Sequence, residues 1–366
     1  MEALTYDVIV AGGGPGGTSA AICAVRAGLR VLLLERGQFP RHKVCGEFVS
    51  AESLGLLAAL LVGAHASLLT NALAIPRARV FLDGRILETE VAPSASSIAR
   101  LDLDAALWDS AIKIGVDARS QTTVQSITGD GPFRVATSTG EFEAPALINA
   151  AGRWSNLTSQ NSMPREKWLG LKGHFAEPHP EQSVDLYFFD GGYCGVQPVD
   201  INGDSSKGGR INAAAMVRAD VASSLPEVFA RNSQLLERCQ TWEPLSDPVS
   251  TSPLIFREPE PARGNMLLVG DAAGFVDPFV GDGISLALRG GALAAECLVA
   301  FHKGELALRE AVARYAKSYE NRLAPVFRAS STLRRLLMLP KSMRIPLLFV
   351  LENSPAMTRY LVKKTR

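Results

Sequence analysis

The chain begins with an alternation of apolar and helical stretches that predicts a strand, a helix and a second strand. Residues 7–11 form a short apolar run, which is typical of a strand buried on both faces. Residues 15–27 have the composition of a helix that ends at Gly28. Residues 30–34 are apolar again and lead to Glu35. The pattern predicts a complete βαβ unit with parallel strands.

The glycines between the first strand and the helix predict a dinucleotide site. Gly12, Gly14 and Gly17 have the spacing G-x-G-x-x-G. The first allows a tight turn, the second lets the backbone approach a pyrophosphate, and the third lets the helix pack near the sheet. The helix N-terminus then offers N–H groups and a positive dipole end to the phosphates. Glu35 is placed to accept hydrogen bonds from both hydroxyls of an adenosine ribose.

The next part of the chain mixes helical and strand patterns. A Leu/Ala-rich helix is predicted over 51–69, and a hairpin over 78–91 around Asp83-Gly84. Asp102 or Asp104 can cap a helix that ends at Gly115. Further strands are predicted at 121–127, 133–137 and 144–150.

From about residue 156 to residue 265 the βαβ rhythm stops. Strands separated by Gly, Asp and Asn turns are predicted at 167–175, 183–189, 195–199 and 210–217, with a helix at 225–240. This pattern indicates an antiparallel sheet in a second domain. The buried-strand pattern returns at 266–270, and helices are predicted at 283–301 and 305–327.

Composition narrows the class of protein. The chain has 366 residues, 47% hydrophobic and 20% charged, with a net charge of +1, so no global field points to nucleic acid. Five dispersed cysteines without metal spacing indicate a reducing compartment and predict no metal site. The first strand follows the N-terminus directly, and the longest apolar run, 54–64, is too short to span a bilayer. We therefore expect a cytoplasmic protein.

Three separated motifs resemble the flavoprotein superfamily of geranylgeranyl reductases and aromatic hydroxylases of the p-hydroxybenzoate hydroxylase kind. They are the glycine loop with its terminal acid, the sequence Arg100-x-x-x-Asp104, and Gly270-Asp271 followed by Asp277-Pro278 and 281–284. The resemblance spans nearly the whole chain. It implies FAD as the cofactor and an arginine, Arg100, that reaches the FAD phosphates.

The third motif also has a physical reading of its own. Asp271 follows a strand at the edge where such sheets bind ligands, and it can fix the ribityl hydroxyls of a flavin. Gly281 and Gly283 let the backbone approach the isoalloxazine ring. A helix that starts near Ile284 directs its positive end at the ring edge that is negative when reduced.

Two further segments separate the branches of the superfamily. The sequence 43–47, KVCGE, resembles the C-G-E segment of the geranylgeranyl reductases, and Tyr193-x-Gly195-x-x-Pro198 loosely resembles their Y-x-W-x-F-P motif. The hydroxylases typically carry G-A-D-G-x-x-S, whereas this chain has Asn149-Ala-Ala-Gly152 without the acid. The reductase branch is favoured.

Several polar residues keep two readings. Cys45 is either a proton donor or substrate contact near the flavin, made reactive by nearby cations, or a small buried residue. Arg41, His42 and Lys43 are favoured as cofactor contacts over solvated side chains. His174 and His179 have no partner at ligand spacing, so solvated or core roles are favoured. Arg153 and Trp154 either line the FAD site or serve packing.

The predicted fold is α/β, a Rossmann-like FAD-binding domain (GR2-type flavoprotein) with an inserted antiparallel-sheet substrate domain and C-terminal helices. The predicted ranges are 1–75, 99–155 and 266–328 for the FAD domain, 76–98 and 156–265 for the substrate domain, and 329–366 for the tail. The candidate cofactor-binding residues are Gly12, Gly14, Pro15, Gly16, Gly17, Glu35, Arg36, His42, Lys43, Cys45, Gly46, Arg100, Gly152, Asp271, Pro278, Gly281, Gly283 and Ile284. Cys45 is the candidate catalytic residue.

The favoured function is flavin hydride transfer with an apolar small molecule, such as an isoprenoid or related alkene. The alternative is a monooxygenase acting on an aromatic or polyketide-like substrate through a C4a-hydroperoxyflavin. A flavin halogenase and a substrate-free electron carrier rank below these. No second G-x-G-x-x-G is present, so NAD(P)H visits transiently or an electron-transfer protein supplies electrons. The basic, apolar tail suits either an anionic membrane surface or, preferably, helix packing.

Overall fold

The computed structural model describes residues 5–153, 157, 167–200, 208–256, 258–337, 339, 341–352 and 354, with the backbone alone at 280 and 347–352. Trp154, part of the predicted substrate domain and the end of the tail lie outside these residues. The strands are β1 Val8–Ala11, β2 Val31–Leu34, β3 Phe48–Val49, β4 Leu73–Leu82, β5 Arg85–Ser97, β6 Asp117–Arg119, β7 Val124–Thr128, β8 Phe133–Thr137, β9 Gly140–Ala144, β10 Ala146–Asn149, β11 Trp168–Glu177, β12 Ser183–Phe189, β13 Gly192–Asp200, β14 Gly209–Arg218, β15 Glu243–Pro244, β16 Val249–Thr251, β17 Ala262–Arg263 and β18 Met266–Leu268. The helices are α1 Pro15–Arg26, α2 Ala51–Leu60, α3 Ser67–Thr70, α4 Arg100–Lys113, α5 Leu225–Phe229, α6 Ser233–Arg238, α7 Gly283–His302, α8 Leu308–Arg322, α9 Ala324–Leu337 and α10 Lys341–Glu352.

The predicted βαβ unit forms the centre of a six-stranded sheet within the described residues. Its order is β17-β18-β10-β1-β2-β6, and all neighbouring strands except β17 and β18 run parallel. Every residue of β1, β2 and β10 is buried, because helices and a small sheet cover both faces. The sequence therefore assigned these strands correctly from their continuous apolar runs.

Two helices pack closely beneath the glycine loop. A Cβ on Gly291 of α7 would lie 2.2 Å from the carbonyl oxygen of Gly16, so only glycine allows this approach. Ser19 Oγ donates to the carbonyl oxygen of Leu288 at 2.7 Å across the same contact. Helix α7 is the only described helix long and apolar enough to cross a membrane, and 67% of its apolar window is buried inside the fold. That burial is typical of a core helix.

The second domain is built around a larger sheet, which we call the roof sheet. The described residues give it nine strands in the order β15-β11-β14-β13-β12-β4-β5-β3, with β16 beside β11. The predicted hairpin is confirmed: β4 and β5 pair antiparallel across Asp83-Gly84 and join the sheet through β12. A separate three-stranded sheet, β7-β8-β9, covers the first sheet. The α/β fold with an additional antiparallel sheet and C-terminal helices is confirmed.

Some predicted limits differ from the structure. Helix α4 starts at Arg100 with Ala99 before it, so Asp102 and Asp104 lie inside the helix and do not cap it. The predicted helix at 225–240 is two short helices, because Asn232 interrupts it and caps the second through its side chain. The limits after residues 75 and 328 fall inside β4 and α9, respectively, and both elements continue across them.

Candidate FAD site

A cavity of about 780 Å³ lies between the carboxyl ends of the parallel strands and the roof sheet. The volume is within the range of roughly 300–1,000 Å³ found for small-molecule sites. The predicted residues that line it are Gly12, Gly14, Pro15, Gly16, Glu35, Arg36, His42, Lys43, Cys45, Gly46, Arg100, Gly152, Asp271, Pro278, Gly281, Gly283 and Ile284. Gly17 does not line it. Residues that are far apart in the sequence thus line one cavity.

The glycine loop has the geometry that its spacing predicts. Gly12 has φ +112°, and a Cβ there would lie 2.2 Å from the carbonyl oxygen of Ala150. A Cβ on Gly17 would lie 1.8 Å from the carbonyl oxygen of Gly12, so Gly17 is required by packing. A Cβ on Gly14 would meet nothing within 4 Å, and Gly14 faces the cavity. The open space lies where a phosphate would approach the N-terminus of α1.

Glu35 is held at the end of β2 by three donors. Its Oε2 accepts from the N–H of Gly13 at 2.9 Å, and its Oε1 accepts from the N–H of Gly37 at 2.8 Å and from Arg41 at 2.6 Å. Burial favours the neutral acid, but Arg41 and the two N–H groups outweigh it and lower the pKa of Glu35 to about 2. A carboxylate offers about four acceptor positions, so capacity remains for a ribose hydroxyl.

Positive side chains gather near this acid on the cavity wall. Burial lowers the pKa of Lys43 to about 8, and the charge of Arg41 acts in the same direction. The Nε of Arg41 is buried without a hydrogen-bond partner among the described residues. A bound diphosphate would supply a partner and raise the pKa of Lys43. The favoured cofactor role of these cations therefore remains a prediction that the geometry suits.

The third motif meets the cavity at the start of α7. Gly281 has φ +74°, and a Cβ there would lie 2.7 Å from the ring of Phe48, so a side chain does not fit. Helix α7 begins at Gly283, as the motif predicts. Asp271 pairs with Arg153 at 2.8 Å, and the Arg153 guanidinium lies 4.4 Å from the Phe275 ring. The contact of Asp271 with the ribityl hydroxyls of a flavin remains a prediction.

The sequence analysis gave no separate role to Asp282, the buried acid inside this motif. Asp282 is fully buried, and Ser50 Oγ donates to its Oδ1 at 2.6 Å. Burial raises the pKa of Asp282 to about 6, although the Ser50 hydrogen bond opposes the change. The composition of the loop gave no signal, because the acid meets its partner Ser50, 232 residues away in sequence, only in the folded chain.

Arg100 and Cys45 lie together on the wall. Arg100 Nε and one terminal nitrogen donate to the two carboxylate oxygens of Asp104, each at 2.7 Å. Burial disfavours the guanidinium, but its pairing with Asp104 and its hydrogen bond with Cys45 outweigh burial and raise the pKa of Arg100. Asn212 Nδ2 donates to the carbonyl oxygen of Cys45 at 3.0 Å. Two donors of Arg100 are therefore committed to Asp104, so any phosphate contact must use the others.

Glu47 is the main charged residue of the wall that the sequence did not include among the candidates. It is fully buried and pairs with Lys172, and its Oε2 lies 2.9 Å from His174 Nε2. Burial opposes ionisation, but His174 and Lys172 outweigh it and lower the pKa of Glu47. Of the two roles favoured for His174, the structure shows the core one: the side chain is buried, with the Glu47 carboxylate beside it. Sequence separation concealed this pair.

The roof sheet lines the far end of the cavity with mainly apolar side chains. They come from the inner faces of β4, β12, β13 and β14 and are Ala78, Val80, Val184, Leu186, Phe188, Tyr193, Ala214 and Met216. Gly195, in the loosely matched motif, adds no side chain there. Gln197 Oε1 is buried without a hydrogen-bond partner among the described residues. The cavity therefore has a polar, glycine-lined end and an apolar end.

The residues fit FAD on observations of this structure. The open space at Gly14, the acid at the end of β2 and the cations opposite it match a dinucleotide, and the N-terminus of α7 reaches the same cavity. When bound, FAD would supply the hydride or oxygen chemistry. The protein contributes the polar cradle, the positive helix ends and the apolar end.

Comparison with known proteins agrees with this assignment. The family model described as FAD dependent oxidoreductase matches residues 7–40. The chain is 28% identical over 318 residues to a menaquinone reductase of Mycolicibacterium smegmatis, covering 80% of this chain and 76% of the relative. It is 25% identical over 317 residues to a digeranylgeranylglycerophospholipid reductase of Methanocaldococcus jannaschii, with coverage of 80% and 76%.

Solved structures share the fold. A geranylgeranyl bacteriochlorophyll reductase-like protein from Thermoplasma acidophilum has a TM-score of 0.77 at 20% identity, covering 99% of this chain and 96% of that one. The flavin-dependent brominase Bmp2 has a TM-score of 0.79 at 19% identity, with coverage of 98% and 93%. The chain is thus similar to FAD-dependent oxidoreductases, among them named reductases of menaquinone and of geranylgeranyl compounds, and it shares the fold of solved flavoproteins.

Proposed function

We propose that the protein reduces an apolar, isoprenoid-like alkene or a related quinone by flavin hydride transfer. The observation that carries the proposal is the continuity of one cavity from the glycine loop to the apolar inner face of the roof sheet. An apolar substrate gains free energy by leaving water there, whereas a charged one would lose its hydration. Relatives named as reductases of menaquinone and of geranylgeranyl compounds support this substrate class.

The protein's own part in the reaction is to bind, orient and exclude water. Reduction of a double bond needs one hydride, which FAD would supply, and one proton for the other carbon. Cys45 lines the cavity and contacts Arg100, so it is the candidate group for that proton. NAD(P)H or an electron-transfer protein would restore the reduced cofactor. The apolar end favours this reading over a substrate-free electron carrier.

The test is an anaerobic reaction of the holoenzyme. The protein is loaded with FAD, reduced with one equivalent of dithionite and mixed with geranylgeraniol or a short-chain menaquinone. We expect the substrate to reoxidise the flavin and to gain two hydrogen atoms, seen by mass spectrometry. Failure of both compounds to reoxidise the flavin would contradict the proposal.

The alternative reactions leave different marks. Incorporation of oxygen from ¹⁸O₂ into the product would show a monooxygenase, and incorporation of bromide or chloride would show a halogenase. A reducing, cytoplasmic location belongs to the same proposal, and the five free cysteines suit it. Membrane contact through the tail remains a prediction.

A further inference from the structure

The segment 41–47 forms part of the cavity wall without being a helix or a strand. Side-chain contacts must therefore hold it in place, because no ladder of backbone hydrogen bonds does so. We propose that Glu47 is the positioning residue that fixes this segment, including Cys45, against the FAD site and ties it to the roof sheet. The proposal concerns the FAD site and does not rest on the identity of the substrate.

The backbone of Glu47 is itself unusual. Its φ is +62°, a conformation that residues other than glycine rarely adopt. The carbonyl oxygen of Glu47 accepts from the N–H of Ile98 at 3.0 Å, and the side chain is fully buried. Such a conformation persists only where the surroundings determine it, and it is found more often at functional sites.

The side chain of Glu47 joins three separated parts of the chain. Its Oε1 accepts from the backbone N–H of Arg100 at 2.9 Å and from Lys172 Nζ, while Oε2 meets His174. Lys172 and His174 are two residues apart on β11, so they point to the same face of the roof sheet. Both are less than a twentieth exposed. One carboxylate thus connects the cavity segment, the start of α4 and the roof sheet.

The other ion pair of the segment, Arg41 with Glu35, lies at its opposite end, and the remaining contacts of residues 44–47 are weaker. Val44 lies against Gly170, where an added Cβ would come within 3.0 Å of its side chain. Asn212 donates to the Cys45 carbonyl oxygen, and the N–H of Glu47 donates to Cys45 Sγ at 3.4 Å. These contacts are neutral, whereas Glu47 carries a buried charge that pairs with Lys172 and is hydrogen-bonded to His174. Loss of that charge should loosen the wall.

The test compares Glu47→Gln with a matched control, Glu177→Gln. Glu177 is also buried and ion-paired on β11, but its side chain points to the opposite face and pairs with Arg238. For Glu47→Gln we expect the FAD dissociation constant to rise by about tenfold or more, with a changed visible spectrum of the bound flavin. For Glu177→Gln we expect both to stay within about twofold of wild type.

A double variant separates positioning from charge balance. Glu47→Gln with Lys172→Met removes the unpaired cation, so thermal stability should return, while FAD affinity and the flavin spectrum should stay impaired. It also carries the test if Glu47→Gln alone does not fold. A folded Glu47→Gln protein with wild-type FAD affinity and spectrum would overturn the proposal. So would recovery of FAD affinity in the double variant, or equal weakening by Glu177→Gln.

Discussion

On the inner face of β11, Lys172 and His174 meet Glu47, whereas on the outer face Glu177 meets Arg238 of α6. Both acids are buried, and both are bound through two or more hydrogen bonds. The outer partners come from the same domain. The inner acid comes from the FAD-binding side of the molecule and lines the cavity.

The charged residues on the outer face form a larger network, which we call the outer cluster: Glu177, Arg238, Asp185 and Arg79. Arg238 also donates to Asp185 at 2.6 Å, and Asp185 accepts from Arg79 at 2.6 Å. Trp242 Nε1 donates to Glu177 at 2.9 Å. Removal of one member therefore leaves the others paired. The inner cluster has one acid for two basic side chains, so the same kind of substitution should have a larger effect there.

The largest expected difference is in stability. Glu47→Leu leaves Lys172 buried without its carboxylate, and the free energy of unfolding should fall by about 3–5 kcal/mol. Glu177→Leu should cost about 1–3 kcal/mol, because Arg238 keeps Asp185. Denaturant unfolding of the FAD-free proteins measures both. A larger decrease in the free energy of unfolding for Glu177→Leu than for Glu47→Leu would contradict the expected difference between the two faces.

Lowering the pH should destabilise the protein through protonation of Glu35, which lies at the FAD-binding end of the cavity. Its pKa is lowered from 4.5 when unfolded to about 2 when folded. The stability it contributes is complete above about pH 4.5 and is lost as the pH falls towards 2, about 3 kcal/mol in all. Unfolding free energies of wild type and Glu35→Gln between these pH values should converge as the pH falls. Parallel curves would contradict this expectation.

Asp282 is a buried acid whose desolvation outweighs its favourable contacts, and it should behave oppositely. The pKa of Asp282 is raised to about 6 from 3.8, so the folded state holds its proton more tightly, and stability falls as the pH rises between these values. Asp282→Asn should therefore raise the free energy of unfolding by about 2–3 kcal/mol at pH 8 and change it little at pH 4. Thermal unfolding at the two pH values is the measurement. Equal effects at both would show that burial does not govern this carboxyl.

The smallest expected effect concerns the apolar end of the cavity, where neighbouring residues of β13 face the cavity and the outer side. A Cβ on Gly195 would make ordinary contacts, 3.4 Å from Leu186 Cδ2, so Gly195→Trp should fold with its ring in the cavity. We expect FAD binding to persist and turnover of an apolar substrate to fall about tenfold. Cys194→Ala, on the outer face, should cost about 1 kcal/mol of stability and leave turnover unchanged. Undiminished turnover by Gly195→Trp would place the substrate elsewhere.

Local patterns predicted much of this molecule. Three sequence patterns, each only a few residues long, match the structure: the run 7–11, the spacing of Gly12, Gly14 and Gly17, and the Asp83-Gly84 turn. The prediction that Asp102 or Asp104 caps the helix was wrong. The helix already begins at Arg100, and Asp104, one turn later, forms an ion pair with Arg100. An aspartate near a helix start can accept hydrogen bonds from backbone N–H groups or pair with a nearby cation, and the sequence pattern does not decide between them.

The sequence by itself determined the βαβ unit, its glycine-rich turn and the division into two kinds of sheet, because each depends on neighbouring residues and their periodicity. Only the tertiary structure decided which charges meet. Glu47 is more than a hundred residues from Lys172 and His174, and their pairing follows from the placement of the roof sheet over the segment 41–47. The environment of Asp282 was decided in the same way, because burial belongs to the packed molecule and is not a property of the loop sequence.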